Sequence, residues 1–480
     1  MPDAASVVAF SRSSDGSPTR AVARPATVLA IVCGGVVLAS LDLFIVNLAL
    51  PQIARDFHGT SLADLSWALN GYAIVFAALL IPAGRLSDRA GRKGGFLLGV
   101  AVFTSASACC AAASGVELLV AFRVVQAVGA ALLLPTSLSL VLQTYPPERR
   151  GGAVRTWAAM GGLAAALGPV LGGLLVTASW RWVFLVNVPI GIVALVAGWR
   201  WLPKLPGDLG PLPDALGAAL LTLGIAALTL ALIQTGNWGW GSARVMGLLV
   251  SSTVLIAGFV ARSARHASPV LELRLLRVRS YSVTLVAALL FSAAFGAMLL
   301  SIALWLQGDW GWSALKTGLA IAPGPLMVLP LSVLAGKLIP RLGPGLVIAT
   351  GCAFFAGGVI WWAAAVSLHA NYVADVLGGM LLTGTGVGLT LPTLFSTATA
   401  SLPPHRFATG SAAVSMVRQI GFAVGVAVLV GVLGTATAPQ ARLVNFHHGW
   451  IMVAILSLVG GASALLLRQR PAQRLTRSPR

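Results

Sequence analysis

The sequence predicts an all-α membrane protein whose chain crosses the bilayer many times. Of its 480 residues, 57% are hydrophobic and 9% are charged, which is too few charged side chains to cover a soluble protein of this length. Apolar runs of about 20 residues recur from end to end, and a helix of that length crosses the roughly 30 Å of hydrocarbon in a bilayer. Lys and Arg outnumber Asp and Glu by 32 to 13, and the basic residues are dispersed between the apolar runs.

The apolar runs give fourteen expected helices, with both chain ends in the cytoplasm. Cytoplasmic loops of membrane proteins carry an excess of Lys and Arg. With the N-terminus inside, 25 basic residues fall in inner segments and 5 in outer loops, which leaves Arg123 and Arg418 within the membrane. The +19 net charge is therefore interpreted as a topology signal facing anionic lipid, and a nucleic-acid surface is a poor interpretation. The helices are expected at about 26–50, 62–83, 95–114, 116–142, 152–176, 182–202, 213–233, 244–261, 281–306, 315–338, 344–366, 372–397, 408–434 and 449–468.

Two short loops occur twice, which predicts a duplicated chain. "GRLSDRAGRK" (Gly84–Lys93) after the second span is echoed by "GKLIPRLGP" (Gly336–Pro344) after the tenth. "PPERR" (Pro146–Arg150) after the fourth is echoed by "PPHRF" (Pro403–Phe407) after the twelfth. Repeated halves around a midplane site are typical of secondary transporters, although loops of this composition also recur by chance. The predicted organisation is a cytoplasmic tail at 1–25, a six-helix bundle at 26–202, two additional helices at 203–265, a second six-helix bundle at 266–468 and a basic tail at 469–480.

Five motifs, in order along the chain, resemble the fourteen-helix drug:proton antiporter branch of the major facilitator superfamily. They are "LDLFIVNLALP" (Leu41–Pro51), "GRLSDRAGRK" (Gly84–Lys93), "LLVAFRVVQAVGAA" (Leu118–Ala131), "GLAAALGPVLGGLL" (Gly162–Leu175) and "SWRWVFLVNVPIG" (Ser179–Gly191). The resemblance implies two six-helix bundles plus two additional helices, and proton-coupled export by alternating access. The branch usually has a small hydroxyl residue two positions after the acid of the first motif, where this chain has Phe44.

Asp42 and Arg123 are charged residues inside apolar runs, and such residues are expensive and usually functional. Asp42 lies eight residues from the outer end of the first helix, and Arg123 lies about eight residues from the outer start of the fourth. At 1.5 Å per residue, both are expected roughly 12 Å below the outer surface. Equal depth predicts an ion pair that couples transport to protons, or a purely structural pair. Gln126 is expected on the same face as Arg123.

The loop after the second span contains a single acid among basic residues. A positive-inside anchor explains the basic residues but leaves Asp88 unexplained. The resemblance implies a cytoplasmic gate formed by Gly84, Asp88, Arg89 and Arg92. The second copy has Pro340 where the acid would lie, so the gate is expected on one side.

The fifth span carries closely spaced small residues and a proline. Small residues let membrane helices approach closely, and proline permits a bend. The resemblance associates this motif with proton-exchanging exporters, and ordinary helix packing is the alternative. The residues are Gly162, Gly168, Pro169, Gly172 and Gly173.

Polar and aromatic residues within the spans are candidates for a substrate cavity, although most aromatic residues are expected in the core or at the membrane interface. Arg418 is expected either to attract an anionic part of a substrate or to hold the bundle interior together. The candidates are Phe44, Asn70, Tyr72, Gln126, Trp157, Gln307 and Arg418.

Two serines precede acids at the spacing of a helix capping box. Ser61 with Asp64 is expected to begin the second helix, and Ser114 with Glu117 the fourth. Asn371 is a possible cap near Asp375.

The sequence predicts a transporter rather than an enzyme. It has no phosphate-binding loop of the ATP-hydrolysing type, no cluster with metal-ligand spacing and no nucleophile beside a base. We therefore expect no catalytic residue, metal or cofactor, with the proton-motive force as energy source. The predicted protein is a monomer of the bacterial cytoplasmic membrane that exchanges protons for small amphipathic compounds such as drugs or antibiotics. A proton-coupled importer, an exporter of an endogenous metabolite and a channel are the alternatives.

Overall fold

The computed structural model describes residues 24–204, 212, 214–402 and 407–467, and this part of the chain is almost entirely helical. The predicted tails at 1–25 and 469–480 fall outside it, apart from the last two residues of the first. The long helices are α1 Pro25–Asp56, α2 Leu62–Ala90, α3 Arg92–Ala111, α4 Val116–Thr144, α5 Pro147–Ala178, α6 Trp182–Trp201, α7 Ala215–Trp238, α8 Ala243–Arg265, α9 Arg279–Asp309, α10 Ala314–Leu342, α11 Pro344–Ala365, α12 Tyr372–Ala400, α13 Phe407–Leu433 and α14 Pro439–Ala464.

Thirteen helices in the described residues are long and apolar enough to cross a membrane. The remaining long helix, α5, runs for 32 residues at the position of the predicted fifth span. The polytopic all-α class is thus confirmed, whereas the count of fourteen spans stays a prediction.

Several helix ends differ from their predicted positions. The first helix continues through Pro51 to Asp56, because a proline removes one hydrogen bond and membrane helices tolerate that loss. The last helix begins at Pro439, ten residues before the expected start, because its first turns are polar and hydropathy does not mark them.

The capping predictions had mixed outcomes. Ser61 and Asp64 form the predicted box, with the Asp64 N–H donating to Ser61 Oγ at 3.1 Å and the Ser61 N–H donating to Asp64 Oδ2 at 3.2 Å. The box at Ser114 and Glu117 was wrong, because α4 is preceded by Gly115 and has no side-chain cap. Asn371 caps the first turn of α12 through the Ala374 N–H at 3.3 Å.

Two extensive crossings join the first six helices to the last six, and α1 adds smaller contacts with α9 and α10. Helix α2 packs against α13, and α5 packs against α10. Under the predicted duplication, α2 corresponds to α10 and α5 corresponds to α13. The contact of α2 with α13 is therefore the counterpart of the contact of α10 with α5. The division into bundles at 26–202 and 266–468 remains a prediction.

Helices α7 and α8 form a pair beside these crossings. They pack on each other, and α7 also reaches α2 and α13. Asp214 begins α7, where its Oδ1 accepts hydrogen bonds from the Gly217 N–H at 2.8 Å and from Arg262 Nε of α8 at 2.6 Å. Burial opposes ionisation of this carboxyl, but these hydrogen bonds and the nearby charges of His266 and Arg262 hold its pKa below the ordinary value.

Candidate functional site

A buried ion pair joins α1 to α4 in the first half of the chain. Arg123 Nη1 donates to Asp42 Oδ2 at 2.5 Å, and both side chains are fully buried. Arg123 Nε donates to the carbonyl oxygen of Ala68 on α2 at 2.9 Å. The structure therefore brings together the two charges that were expected at equal depth.

Amide side chains complete the surroundings of the carboxylate. Gln126 Nε2 donates to Asp42 Oδ1 at 2.9 Å and to Ser107 Oγ at 2.7 Å, and its Oε1 accepts from Arg123 Nη1 at 2.6 Å. Asn187 Nδ2 of α6 donates to Asp42 Oδ1 at 3.2 Å. Asp42 thus accepts three hydrogen bonds, and helices α1, α3, α4 and α6 supply these side chains. Sequence reasoning missed Asn187 and Ser107, although a lone Asn inside the "LVNVPIG" segment was a usable signal.

Aromatic rings enclose the guanidinium group. Its Cζ lies 4.2 Å from the ring centroid of Tyr72 and 5.8 Å from that of Phe184, so the π faces stabilise the cation. Arg123 Nη2 is buried and has no hydrogen-bond acceptor among the described residues. The cluster contains one acid and one base, so adding a proton to Asp42 would leave Arg123 as a buried cation without its counter-ion.

The predicted cytoplasmic gate contains a local ion pair. Arg92 Nε donates to Asp88 Oδ1 at 2.8 Å, one turn apart in sequence. A Cβ atom at Gly84 would lie 3.2 Å from Pro135 of α4, so the glycine permits close packing there. Arg89 lies in the last turn of α2.

Arg85, which the sequence prediction of the gate did not include, makes long-range contacts from the end of α2. Its Nη1 donates to Ser268 Oγ at 2.5 Å and to the carbonyl oxygen of Pro269 at 3.0 Å, and its Nη2 lies 3.4 Å from Glu272 Oε1. These partners belong to the connection between α8 and α9. Arg85 therefore ties the end of α2 to the segment that leads into the last six helices.

The glycines of α5 are closely packed against two other helices. A Cβ at Gly168 would lie 2.7 Å from Phe44 Cβ, and one at Gly172 would lie 3.2 Å from Ile45 Cα of α1. A Cβ at Gly173 would lie 2.6 Å from the carbonyl oxygen of Ala314 on α10. The carbonyl oxygen of Pro169 lies even closer to the place that a Cβ at Gly318 of α10 would take. The surroundings of Gly162 lie outside the described residues.

The predicted cavity residues occupy several separate places. Tyr72 and Gln126 belong to the Arg123 cluster, Trp157 Nε1 donates to Ser137 Oγ at 3.0 Å, and Gln307 Nε2 donates to the carbonyl oxygen of Leu48 at 3.2 Å.

Two further candidates, Asn70 and Arg418, have unsatisfied polar atoms, and Phe44 packs against an aromatic ring. Asn70 is fully buried, and neither polar atom of its side chain has a described partner. Phe44 meets Phe295 of α9 edge to face, with centroids 6.2 Å apart. Arg418 of α13 lies over the ring of Phe395 of α12, with its Cζ 4.9 Å from the centroid. That these seven residues line a substrate cavity stays a prediction.

The comparison with protein families decides the identity of the fold. The family model described as the Major Facilitator Superfamily matches residues 32–426. The chain belongs to this superfamily. It is accordingly a transporter of small molecules rather than an enzyme, and a multi-pass protein of the bacterial cytoplasmic membrane.

Several superfamily members resemble the chain over most of its length. The probable actinorhodin transporter of Streptomyces coelicolor is 34% identical over 87% of this chain and 74% of its own. The tetracenomycin C resistance and export protein of Streptomyces glaucescens is 34% identical over 85% and 76%. The multidrug resistance protein Stp of Mycobacterium tuberculosis is 33% identical over 83% and 74%.

Solved structures share the superfamily fold at low sequence identity. A peptide transporter POT in complex with sulfate has a TM-score of 0.67 at 17% identity and covers 91% of this chain and 93% of its own. A bacterial homologue of the human lysosomal transporter Spinster, in an inward-facing and unoccupied conformation, has a TM-score of 0.63 at 16% identity over 94% and 98%. At these identities the likeness establishes the fold alone.

Proposed function

We propose that this transporter exports small amphipathic compounds, such as drugs or antibiotics, in exchange for protons. The observation that carries the proposal is the fully buried pair of Asp42 and Arg123, since a paired acid inside the membrane is a natural proton site. The names of the relatives support export: they include an antibiotic transporter, a resistance and export protein and a multidrug resistance protein. The transport unit in this proposal is one chain that uses the proton-motive force and needs no cofactor.

Proton coupling follows from the competition between a proton and Arg123 for Asp42. A proton entering from outside neutralises the carboxylate and removes the counter-ion of Arg123, while the substrate leaves. The next substrate entering from the cytoplasm favours release of that proton inside. One charge moving down 100 mV is worth about 2.3 kcal/mol, enough for roughly a fifty-fold gradient.

Alternating access requires contacts that close one end of the protein while the other opens. At the predicted outer end, Gln307 of α9 meets the carbonyl of Leu48 on α1, and Gly173 of α5 meets Ala314 of α10. At the predicted cytoplasmic end, Arg85 holds the connection before α9, and Asp88 pairs with Arg92. In this proposal the two bundles, 26–202 and 266–468, rock against each other by breaking one set of contacts at a time.

The test is proton-driven uptake of dyes and antibiotics into inverted membrane vesicles. Asp42→Asn is expected to abolish uphill transport, because the amide side chain of Asn does not take up and release a proton in the pH range of the assay. Asp42→Glu keeps an acid in place and is expected to restore part of the activity. Asp64→Asn is the control, because that acid is an exposed helix cap.

Asp42→Asn also leaves Arg123 without its counter-ion, so its thermal unfolding and membrane level must be measured beside transport. A well-folded Asp42→Asn protein with full pH-driven transport would contradict the proposal. Transport of an endogenous metabolite with no effect on any antibiotic in the panel would instead favour the metabolite exporter.

A further inference from the structure

Arg418 is a membrane-embedded cation for which the described residues supply no counter-ion. Its buried Nε has no hydrogen-bond acceptor among the described residues, and no described acid forms an ion pair with Arg418. Among the described residues, the guanidinium group lies over the face of the Phe395 ring. On the following residue, Gln419 Oε1 is also buried without a donor.

Arg418 lies well inside the membrane and on a helix between the two halves of the chain. It is the twelfth residue of α13, which begins at Phe407 and ends at Leu433. At 1.5 Å per residue, it is about 16 Å from one end of a helix of about 40 Å. Helix α13 packs against α2 of the first half and against α9 of the second. Arg418 therefore lies near the middle of the membrane on a helix between the halves, which is where transporters that work by alternating access bind their substrates.

An unpaired cation at this depth is unfavourable, because the bilayer and protein interior do not replace the water it has lost. An aromatic face compensates for part of that loss, and an anion compensates for much more. Phe395 also offers a flat apolar surface beside the charge. A ligand with an anionic group on an aromatic framework fits both features, whereas a cationic ligand meets repulsion and finds no free described acid beside Arg418.

We propose that Arg418 and Phe395 form a binding subsite for the carboxylate or ionised phenol of an amphipathic aromatic anion, which this transporter exports. This inference rests on the proposed function for its direction of transport, but the binding itself does not depend on proton coupling. Arg418 binds the anionic group by a charge-assisted hydrogen bond, and Phe395 packs against the ring.

The test uses two xanthene dyes of similar size and opposite charge. Fluorescein, which is anionic at mildly alkaline pH, and rhodamine 6G, which is permanently cationic, are titrated against the purified full chain in detergent and followed by fluorescence anisotropy. The variants are Arg418→Gln, which removes the charge, and Arg418→Lys, which keeps it. Arg244→Gln is the matched control, because Arg244 also lies over an aromatic ring, that of Trp238 at 5.5 Å.

We expect the wild type to bind fluorescein more tightly than rhodamine 6G. Arg418→Gln should weaken fluorescein binding by about tenfold or more, the usual effect of losing a hydrogen bond between charged groups. Rhodamine 6G binding should stay equal or become tighter, Arg418→Lys should be intermediate, and Arg244→Gln should match the wild type.

Three results would overturn the subsite: unchanged fluorescein affinity in Arg418→Gln, equal loss of both dyes, or wild-type preference for the cation. Thermal unfolding shows whether the Arg418→Gln protein is misfolded. If it is, the Arg418→Lys variant decides: an Arg418→Lys protein that does not bind fluorescein more tightly than rhodamine 6G contradicts the proposal. Asp42→Asn separates the two proposals. If the Asp42→Asn protein still binds fluorescein in a way that depends on Arg418, while the wild type shows no pH-driven uptake, then the proposed function fails and the binding subsite stands.

Discussion

Two arginines inside the membrane have opposite surroundings. Arg123 has a carboxylate at 2.5 Å, an amide oxygen at 2.6 Å, a backbone carbonyl at 2.9 Å and two aromatic rings. Arg418 has one aromatic ring and no described acceptor for its Nε. The same side chain is thus neutralised by the protein in the first half of the chain, whereas in the second half no described residue supplies a counter-ion.

The difference indicates how the two charges contribute to a transport cycle. A neutralised pair changes state when a proton replaces one partner, so it responds to pH. An unpaired cation changes state when a ligand arrives, so it responds to the charge of the ligand. Under this interpretation, the two halves of the predicted duplication have different roles: the first half responds to protons and the second half binds the ligand.

The largest expected effect is that of breaking the neutralised pair. Arg123→Gln should lower stability by about 3–5 kcal/mol, because removal of one partner leaves a buried, uncompensated charge. Unfolding in detergent, followed by tryptophan fluorescence, measures the loss. The double variant Asp42→Asn/Arg123→Gln should be less destabilised than Arg123→Gln alone, and equal destabilisation would show that packing rather than charge dominates the cluster.

The unpaired arginine should behave in the opposite way. Arg418→Gln is expected to leave the unfolding temperature equal or raise it, because it removes a half-buried charge that the described residues do not neutralise. The same unfolding assay applies, with Arg244→Gln as the control. A loss as large as that of Arg123→Gln would mean that Arg418 has a structural role, and the contrast between the two arginines would disappear.

The packing that holds Asp42 in place should tolerate little added volume. Gly168→Ala places a methyl group against Phe44, two residues from Asp42, at 2.7 Å, and overpacking of this kind costs about 1–3 kcal/mol. Gly247→Ala is the matched control, because its added atom meets nothing within 4 Å. Equal stability of the two variants would show that α1 and α5 separate easily at this level.

The smallest expected effect concerns the contact of Arg85 with the connection before α9. Glu272→Gln removes a partly exposed ion pair worth about 0.2–1 kcal/mol, so transport rates should change by about fivefold or less. Initial rates in inverted vesicles measure the change, with Glu148→Gln, an exposed acid at the start of α5, as the control. Complete loss of transport in Glu272→Gln would show that this pair does far more than position the connection.

Much of the fold was predictable because hydropathy and loop charge are local properties. Apolar runs located the helices, and the motifs identified the superfamily that the family comparison confirmed. Helix ends were less predictable where a local signal misled: α1 passes through Pro51, and α4 lacks the expected cap at Ser114. Tolerance of a proline and choice of a cap depend on neighbouring helices, which a single segment does not encode.

The pairing of Asp42 with Arg123 was predictable because it required only one coordinate of each residue, its depth in the membrane. Depth in the membrane follows from residue count, and depth alone paired Asp42 with Arg123. The proton-coupling role of this pair stays a prediction.

The sequence by itself determined the membrane class, the helix order and the depth of each buried charge, since these follow from counting residues along apolar runs. The tertiary structure alone decided the partners: Asn187 for Asp42, Ser268 and Glu272 for Arg85, and Phe395 for Arg418. Depth fixes one coordinate of a side chain, whereas its partner depends on helix rotation and on neighbours that lie up to 187 residues away in the chain.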